Sequence, residues 1–159
     1  MAIRTHAPHQ AYAAIMSTFA AGLAGAGVLA KALKHDPEEH RPVDLLVLGI
    51  ATFKAAQTIS HDEVASFLRD PFVKDVAHEG GEAAVETGDL RQAIGELVTC
   101  SRCIGTWVAA GLTCTQVIAP RFGRMLTWSL AAAGANDFLA AGFAALTGKS
   151  NELEERAAR

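Results

Sequence analysis

An uncharged apolar run of twenty residues, 11–30, constrains this chain more than any other feature. Helices of soluble domains average roughly 11–12 residues and keep a polar face, which this run lacks. A run of this length is about what a helix needs to cross a bilayer core of roughly 30 Å. It exceeds the apolar segment of a signal peptide, roughly 7–15 residues, and no clear cleavage site follows it. We therefore predict a membrane-spanning helix that the mature protein retains.

Three further apolar segments follow the first. The four predicted spans are about 11–32, 45–60, 97–120 and 125–147. The second and third spans are separated by a loop at 61–96, and a polar tail follows at 148–159. The sequence thus predicts an all-α fold, a four-transmembrane-helix bundle in one integral membrane domain covering 1–159. The long loop between helices 2 and 3 is expected to be helical and to lie at the bilayer interface, with Asp89 capping the helix that leads into the third span.

Composition supports a membrane location and argues against nucleic acid as a partner. Charged residues make up 19% of the chain, below the roughly 25% of soluble domains. The net charge is −3, and the basic residues form no stripe interleaved with aromatic residues. The expected partners are the lipid bilayer and other membrane proteins or a second copy of the chain.

Four spans would place both termini and the 61–96 loop on one side of the membrane. That side carries eight Lys and Arg residues and the opposite side carries five. The excess of positive charge favours the cytoplasm for the termini. We predict a multi-pass protein of the bacterial inner membrane.

Cys100 and Cys103 open the third apolar segment. At i and i+3 on a helix both thiols would share a face, which suits half of a tetrahedral zinc site or a dithiol/disulfide couple. A zinc site needs about four ligands, and the others could come from His61 and His78 in the long loop or from the same cysteine pair of another subunit. The alternative is a structural role in packing where the helix begins. Three cysteines are too few for a secreted disulfide framework.

Lys54 and Asp137 interrupt the second and fourth spans. An ionisable group inside a span costs roughly 2.5–3.5 kcal/mol on insertion scales and usually faces the bundle or a wet cavity. Their opposite signs suggest an ion pair within the membrane. The alternatives are an ion or proton path, or a Lys54 side chain that extends to the membrane surface.

Asp62, Arg69 and Pro71 indicate a structured turn just beyond the second span. We expect an Asp62–Arg69 salt bridge to close this turn, and we prefer that structural role to a ligand site.

Two stretches, "ATFKAAQTISHDEVASFLRDPF" and "GELVTCSRCIGTWVA", resemble the bacterial membrane-protein family called domain of unknown function 1360. The matching positions are Thr52, Lys54, Asp62, Arg69, Pro71, Phe72, Glu96, Leu97, Thr99, Cys100, Cys103, Gly105 and Trp107. Gln57 departs from the pattern, since family members more often have a basic residue there. The resemblance implies an integral membrane protein and implies no reaction.

The sequence favours a non-enzymatic scaffold or accessory membrane protein that acts by helix packing and partner contacts. It contains no nucleotide-binding, hydrolase or metalloprotease motif, so we assign no catalytic or cofactor-binding residue. One alternative is a membrane thiol or zinc-binding protein that uses Cys100 and Cys103. Others are a small transporter or channel around Lys54 and Asp137, and a soluble Ala-rich helical bundle.

Overall fold

A computed structural model describes residues 8–34, 41–76 and 81–157 of the chain. This part of the chain is mainly α-helical, as predicted, with one two-stranded hairpin. The elements are α1 (His9–Ala32), α2 (Pro42–His61), α3 (Ser66–Arg69), β1 (Val73–Val76), β2 (Gly81–Ala84), α4 (Leu90–Thr99), α5 (Ser101–Ile118) and α6 (Pro120–Ala157). Single 3₁₀ turns, Glu63–Ala65 and Asp70–Phe72, flank α3.

Helix α2 lies at the centre of the bundle and packs against both α5 and α6. The buried residues of this core are Ala51, Leu112 and Ala131, one from each helix. Two of the three are alanines, and such small side chains let the helix backbones approach closely. Thr127 on α6 is 2% exposed and accepts a hydrogen bond from the Gln116 side chain of α5 at 2.8 Å.

The long helices alternate in direction. Helices α2 and α5 are antiparallel, because Ala51 shares a cluster with Leu112 while Ser60 bonds to Ser101. Helices α5 and α6 are antiparallel neighbours joined through Ala119 alone. Helix α1 runs in the same direction as α5, since Tyr12 near its start bonds to Glu96, just before α5, and Phe19 further along packs edge-on against Trp107 at 5.0 Å. The start of α1, the end of α2 and the start of α5 therefore lie at one end of the bundle.

The loop between α2 and α5 contains a β-hairpin, which the sequence analysis did not predict. Its strands pair antiparallel, with Val73 opposite Ala84. Helix α4 packs on β2 at Gly95, where an added Cβ would collide with the Phe72 carbonyl oxygen and lie 3.0 Å from the Ala84 Cβ. Asp89 caps α4 by accepting a hydrogen bond from the Arg91 N–H at 2.9 Å, which confirms the predicted cap.

Helix α6 is longer than the fourth predicted span. It begins at Pro120 and continues to Ala157, so residues 121–124 and the described part of the polar tail are helical. A proline suits the first position of a helix because its fixed φ is helical and no N–H partner is needed there. Helix α5 starts at Ser101, four residues later than the third predicted span.

Among the described residues, three helices are long and apolar enough to cross a membrane: His9–Ala32, Pro42–His61 and Pro120–Glu154. Helices α4 and α5 meet that criterion only as a pair, with their axes bent by 87°. We call this bend, centred on Cys100, the elbow. Counted as one span, the bent pair makes a fourth.

Candidate functional site

Cys100 forms the elbow between α4 and α5. Its backbone is extended (φ −103°, ψ 102°), so it belongs to neither helix. Its carbonyl accepts the Cys103 and Ile104 N–H groups at 2.9 and 3.0 Å, and its Sγ accepts the Cys103 N–H at 3.3 Å. Cys100 is thus the N-cap of α5 and Cys103 its third residue. This differs from the expectation of two cysteines on one continuous helix.

The last residues of α2 contact the first residue of α5. The Ser60 hydroxyl lies 2.7 Å from His61 Nδ1 and donates to the Ser101 hydroxyl at 3.1 Å. Ser101 Oγ is 3.5 Å from the same His61 nitrogen. Sequence reasoning missed this cluster because Ser60 and Ser101 lie 41 residues apart. The cluster fixes the start of α5, directly after Cys100, against the end of α2.

Lys54 and Asp137 lie in contact. Lys54 Nζ is 2.9 Å from Asp137 Oδ2 on α6 and 3.8 Å from Asp62 Oδ2 at the end of α2. Asp62 also accepts a hydrogen bond from the Thr58 hydroxyl at 2.8 Å. The Lys54 side chain keeps 22% of its exposure. One ammonium group therefore connects α6 to the residue that ends α2.

Phe53 and Phe138 flank this ion pair. Their rings stack with centroids 5.2 Å apart. Gly134 lies one turn before Asp137, and a Cβ there would be 2.9 Å from Ile50 Cγ2 and 3.2 Å from Lys54 Cβ. The absence of a side chain at this position lets α6 approach α2 closely enough for the ion pair to form.

Arg69 pairs with Glu82 of the hairpin, so the predicted Asp62–Arg69 salt bridge is wrong. Its Nε and Nη2 donate to the two Glu82 oxygens at 2.6 and 3.1 Å. Its Nη1 donates to the backbone carbonyls of Ile59 and Asp62 at 2.9 and 3.0 Å. A planar guanidinium matches a carboxylate in this two-bond geometry. The Asp62 carboxylate is occupied instead by Thr58 and Lys54.

The Arg69–Glu82 contact shifts both groups towards their charged forms. Hydrogen bonding to Glu82 raises the pKa of Arg69, and hydrogen bonding from Arg69 lowers the pKa of Glu82. Arg69 is 3% exposed. Pro71, the third residue of the predicted turn, accepts a hydrogen bond from Arg91 Nε at 2.6 Å through its carbonyl. The turn is therefore held to both the hairpin and α4.

Glu96 ties α1 to the loop. Its carboxylate accepts hydrogen bonds from the Tyr12 hydroxyl and from the Gln92 side chain, the latter at 2.8 Å. Gln92 in turn accepts the Gly88 N–H at 2.9 Å. The start of α1 is thereby fixed to α4, next to the elbow.

No group of three or more His, Cys, Asp and Glu side chains with metal-binding geometry occurs within residues 8–34, 41–76 and 81–157. His78, one of the suggested zinc ligands, lies outside the described residues. His61 contacts serine side chains at the elbow. Zinc at Cys100 and Cys103 remains a prediction, and its missing ligands would have to come from elsewhere.

Comparison with known proteins gives a family and a relative. The sequence model of the family described as "Protein of unknown function (DUF1360)" matches residues 47–143, more than half of the chain. The sporulation protein YjcA of Bacillus subtilis (strain 168) is 29% identical over 96 residues, which cover 57% of this chain and 81% of YjcA. No solved structure gives a significant match. The matched region contains both residues of the Lys54–Asp137 ion pair, as well as the elbow. The chain therefore belongs to the DUF1360 family.

Proposed function

We propose that this protein is a four-span, multi-pass protein of the bacterial inner membrane that acts without catalysis, as a scaffold or accessory protein. The single observation that carries the membrane assignment is that the apolar helices bury very little of themselves in the protein. In α1 the one buried residue is Ala30. A soluble bundle would bury one face of each helix.

Large apolar side chains lie on the outside of the bundle. On the second half of α6, Leu139, Phe143 and Leu146 are each more than 70% exposed. Soluble monomers rarely present a continuous apolar surface of this kind. Lipid chains would cover these side chains and remove the cost of hydrating them, about 25 cal/mol for each Å² of apolar area.

The alternating helix directions support four crossings. If the bent α4–α5 pair crosses once, the number of crossings is even and both termini lie on one side. The contact between Tyr12 and Glu96 agrees with this arrangement, because it holds the start of α1 at the end of the bundle that carries the loop.

The Lys54–Asp137 ion pair supports a packing role. Lys54 lies seven residues before the end of α2, about 10 Å along the helix. Within a bilayer, pairing would offset part of the cost of placing each charge there. The pair would then hold α2 and α6 in one register, which is what a scaffold requires.

The relative YjcA is named as a sporulation protein. A role in such a process is one that this chain would serve through contacts, either with another membrane protein or with a second copy of itself. The outer surface of the four-span bundle would make such contacts within the membrane. The hairpin and the elbow would make them outside the membrane.

Membrane fractionation tests the proposal most directly. The protein should stay in the membrane pellet after alkaline carbonate washing, and reporters fused to the two termini should report the same side, the cytoplasm. Reporters on opposite sides would leave three crossings and contradict the four-span arrangement. Recovery in the soluble fraction without detergent would overturn the whole proposal in favour of a soluble bundle.

Charge exchange tests the role of the ion pair. We expect Lys54→Asp and Asp137→Lys each to reduce accumulation in the membrane, because each places two like charges side by side. The double exchange should restore part of the accumulation, since the pair with position 137 reforms with its signs reversed while the contact of Lys54 with Asp62 stays lost. Additive losses would contradict pairing.

A flux assay tests the alternative of a transporter or channel. Purified wild-type protein in liposomes should give no ion or proton flux above protein-free vesicles if the pair is structural. A flux that disappears in Asp137→Asn, with folding retained, would replace the scaffold proposal with transport.

A further inference from the structure

We propose that Cys100 and Cys103 form a thiol–disulfide exchange site at the start of α5, whose substrate class is a disulfide of a small thiol or of a protein. This goes beyond the scaffold function and does not depend on it, because the elbow geometry is the same whether or not the helices span a membrane.

The elbow is what makes a bond between the two sulfurs feasible. In a regular helix, residues three apart have Cβ atoms about 5–6 Å apart, whereas a disulfide needs roughly 3.5–4.5 Å. Cys100 is extended rather than helical, so its side chain folds back over the first turn of α5. Its sulfur already lies 3.3 Å from the backbone nitrogen of Cys103.

The surroundings favour a thiolate on Cys100. Its sulfur accepts a backbone N–H at the N-terminus of α5, where the helix dipole stabilises negative charge. Arg102 follows in the chain and adds a positive charge. Cysteines at helix N-termini and beside basic residues are the reactive ones, whereas cysteines buried among apolar groups are inert.

Access and rigidity complete the site. Both cysteines are free thiols in the structure, with Cys103 exposed and Cys100 partly so. Ser60 and His61 hold Ser101, the residue next to Cys100, so the first turn of α5 is fixed in place. The elbow lies at the loop-bearing end of the bundle, where a substrate from water can reach it.

Thiol–disulfide exchange at this site would take two steps. The Cys100 thiolate attacks one sulfur of the substrate disulfide, forms a mixed disulfide and releases the first substrate thiolate. Cys103 then loses its proton and attacks the Cys100 sulfur, which forms the Cys100–Cys103 disulfide and releases the second thiolate. Two cysteine thiols are oxidised, and the substrate disulfide is reduced to two thiols that take up protons. A dithiol substrate drives the reverse reaction.

Redox titration of the full-length protein tests the site. In a Cys114→Ser background, purified protein is equilibrated with mixtures of reduced and oxidised glutathione, and its free thiols are counted by maleimide labelling. We expect both thiols to disappear together in one two-electron transition, with a mass loss of two hydrogens. Thiols that stay free, or that form separate glutathione adducts, would contradict the proposal.

Single variants identify the attacking sulfur. Serine at position 100 can still cap the helix, so folding should be retained. At pH 7, iodoacetamide should alkylate Cys100 in the Cys103→Ser variant several times faster than Cys103 in the Cys100→Ser variant, because the backbone N–H and the positive end of α5 favour the thiolate of Cys100. Cys114, alone in the Cys100→Ser/Cys103→Ser variant, is the matched control on the same helix. Equal rates for all three would overturn the assignment.

Two further measurements separate the substrate source and the metal alternative. Exchange with oxidised glutathione alone indicates a small-molecule disulfide, and reduction of insulin by the dithiol form indicates a protein disulfide; failure of both would refute the exchange site. Stoichiometric zinc that is lost in Cys100→Ser would contradict it in favour of a metal site.

Discussion

At the scale of single residues, Arg69 connects three parts of the chain. Its guanidinium bonds to the end of α2 through the Ile59 carbonyl, to the following turn through the Asp62 carbonyl and to the hairpin through Glu82. A buried guanidinium that lost these partners would leave N–H groups unsatisfied at high cost. Arg69 therefore sets the position of the hairpin relative to α2.

Replacing Arg69 with Met should lower the free energy of unfolding by about 2–3 kcal/mol. This is below the roughly 3–5 kcal/mol for breaking a fully buried pair, because the Glu82 side chain keeps 30% of its exposure. Denaturant titration of the purified protein measures the change. The matched control is Lys74→Met, which removes an exposed 2.9 Å ion pair with Glu86 beside the same hairpin and should change stability by less than about 1 kcal/mol. Similar losses in both variants would contradict the role of Arg69.

The same pair predicts how stability depends on pH. The pKa of Glu82 is lower in the folded protein than its ordinary value of 4.5, so the unfolded state takes up the proton first. The stabilisation is fully present above pH 4.5 and is lost as the pH falls through the lowered pKa. Melting temperatures should decrease as the pH is lowered below 4.5, and the decrease should be smaller in Glu82→Gln. An unchanged fall in Glu82→Gln would assign the acid sensitivity to other carboxyl groups.

At the scale of elements, the contact between α2 and α6 depends on a missing side chain. Gly134 leaves room for Ile50 and for the Lys54 stem, and the Phe53–Phe138 stack lies beside it. The ion pair, the stack and the glycine occur within about one turn of each helix. Close packing, and not the ion pair alone, therefore decides the register of these two helices.

We expect Gly134→Ala to destabilise the protein by about 1–3 kcal/mol, the usual cost of overpacking, because the new Cβ would lie 2.9 Å from Ile50 Cγ2. Gly142→Ala on the same helix meets no atom within 4 Å. It should be neutral or stabilising by up to about 1 kcal/mol, since alanine favours helices. Thermal unfolding in detergent compares the two, and equal effects would show that α6 does not pack on α2 at this point.

At the scale of the whole molecule, one end of the bundle carries the loop between α2 and α5. The hairpin, the elbow and the start of α1 meet there, whereas the opposite end has the single-residue connection at Ala119. The described side chains of α6 from residue 148 onward are all exposed. The tail pairs with itself, through Lys149–Glu152 and Glu152–Arg156 contacts of 3.2 and 2.6 Å.

Truncation separates this tail from the bundle. A chain ending at residue 147 should keep its unfolding free energy within about 1 kcal/mol, because exposed pairs of this kind contribute little. A chain ending at residue 136 also loses Asp137 and Phe138 and should fail to accumulate in the membrane. Immunoblots of membrane fractions and melting curves give both results. Failure of the shorter deletion would mean that the tail packs on something in the native assembly.

The sequence predicted the apolar helices and the Asp89 cap because both depend on local patterns. It missed the elbow because nothing local marks a break: residues 90–103 contain no proline, and cysteine is not among the usual capping residues. It missed the hairpin because Lys74, Glu82 and Ala84 are poor strand formers, so pairing and packing on α4 must hold the strands. The partner of Arg69 lies 13 residues away, on an element that was not predicted.

Some missed features did have a signal. Pro120 is well placed to start a helix, and the last residues of the chain are rich in Glu, Ala and Arg, which favour helix continuation. The helix was not predicted beyond residue 147 because the charge of those residues suggested a polar tail, whereas their helix propensity favoured continuation.

Helix α6 has 38 residues, about 57 Å of rod against a bilayer core of roughly 30 Å. In the four-span arrangement proposed above, about 15 Å of it, from residue 147 to Ala157, would extend beyond the lipid as a rigid helix rather than as a flexible tether. A partner that bound Glu152 or Arg156 would then be held at a fixed distance from the lipid headgroups. A rotation or tilt of the helix at that position would be transmitted along α6 to Asp137 and, through its contact with Lys54, to α2 at the centre of the bundle.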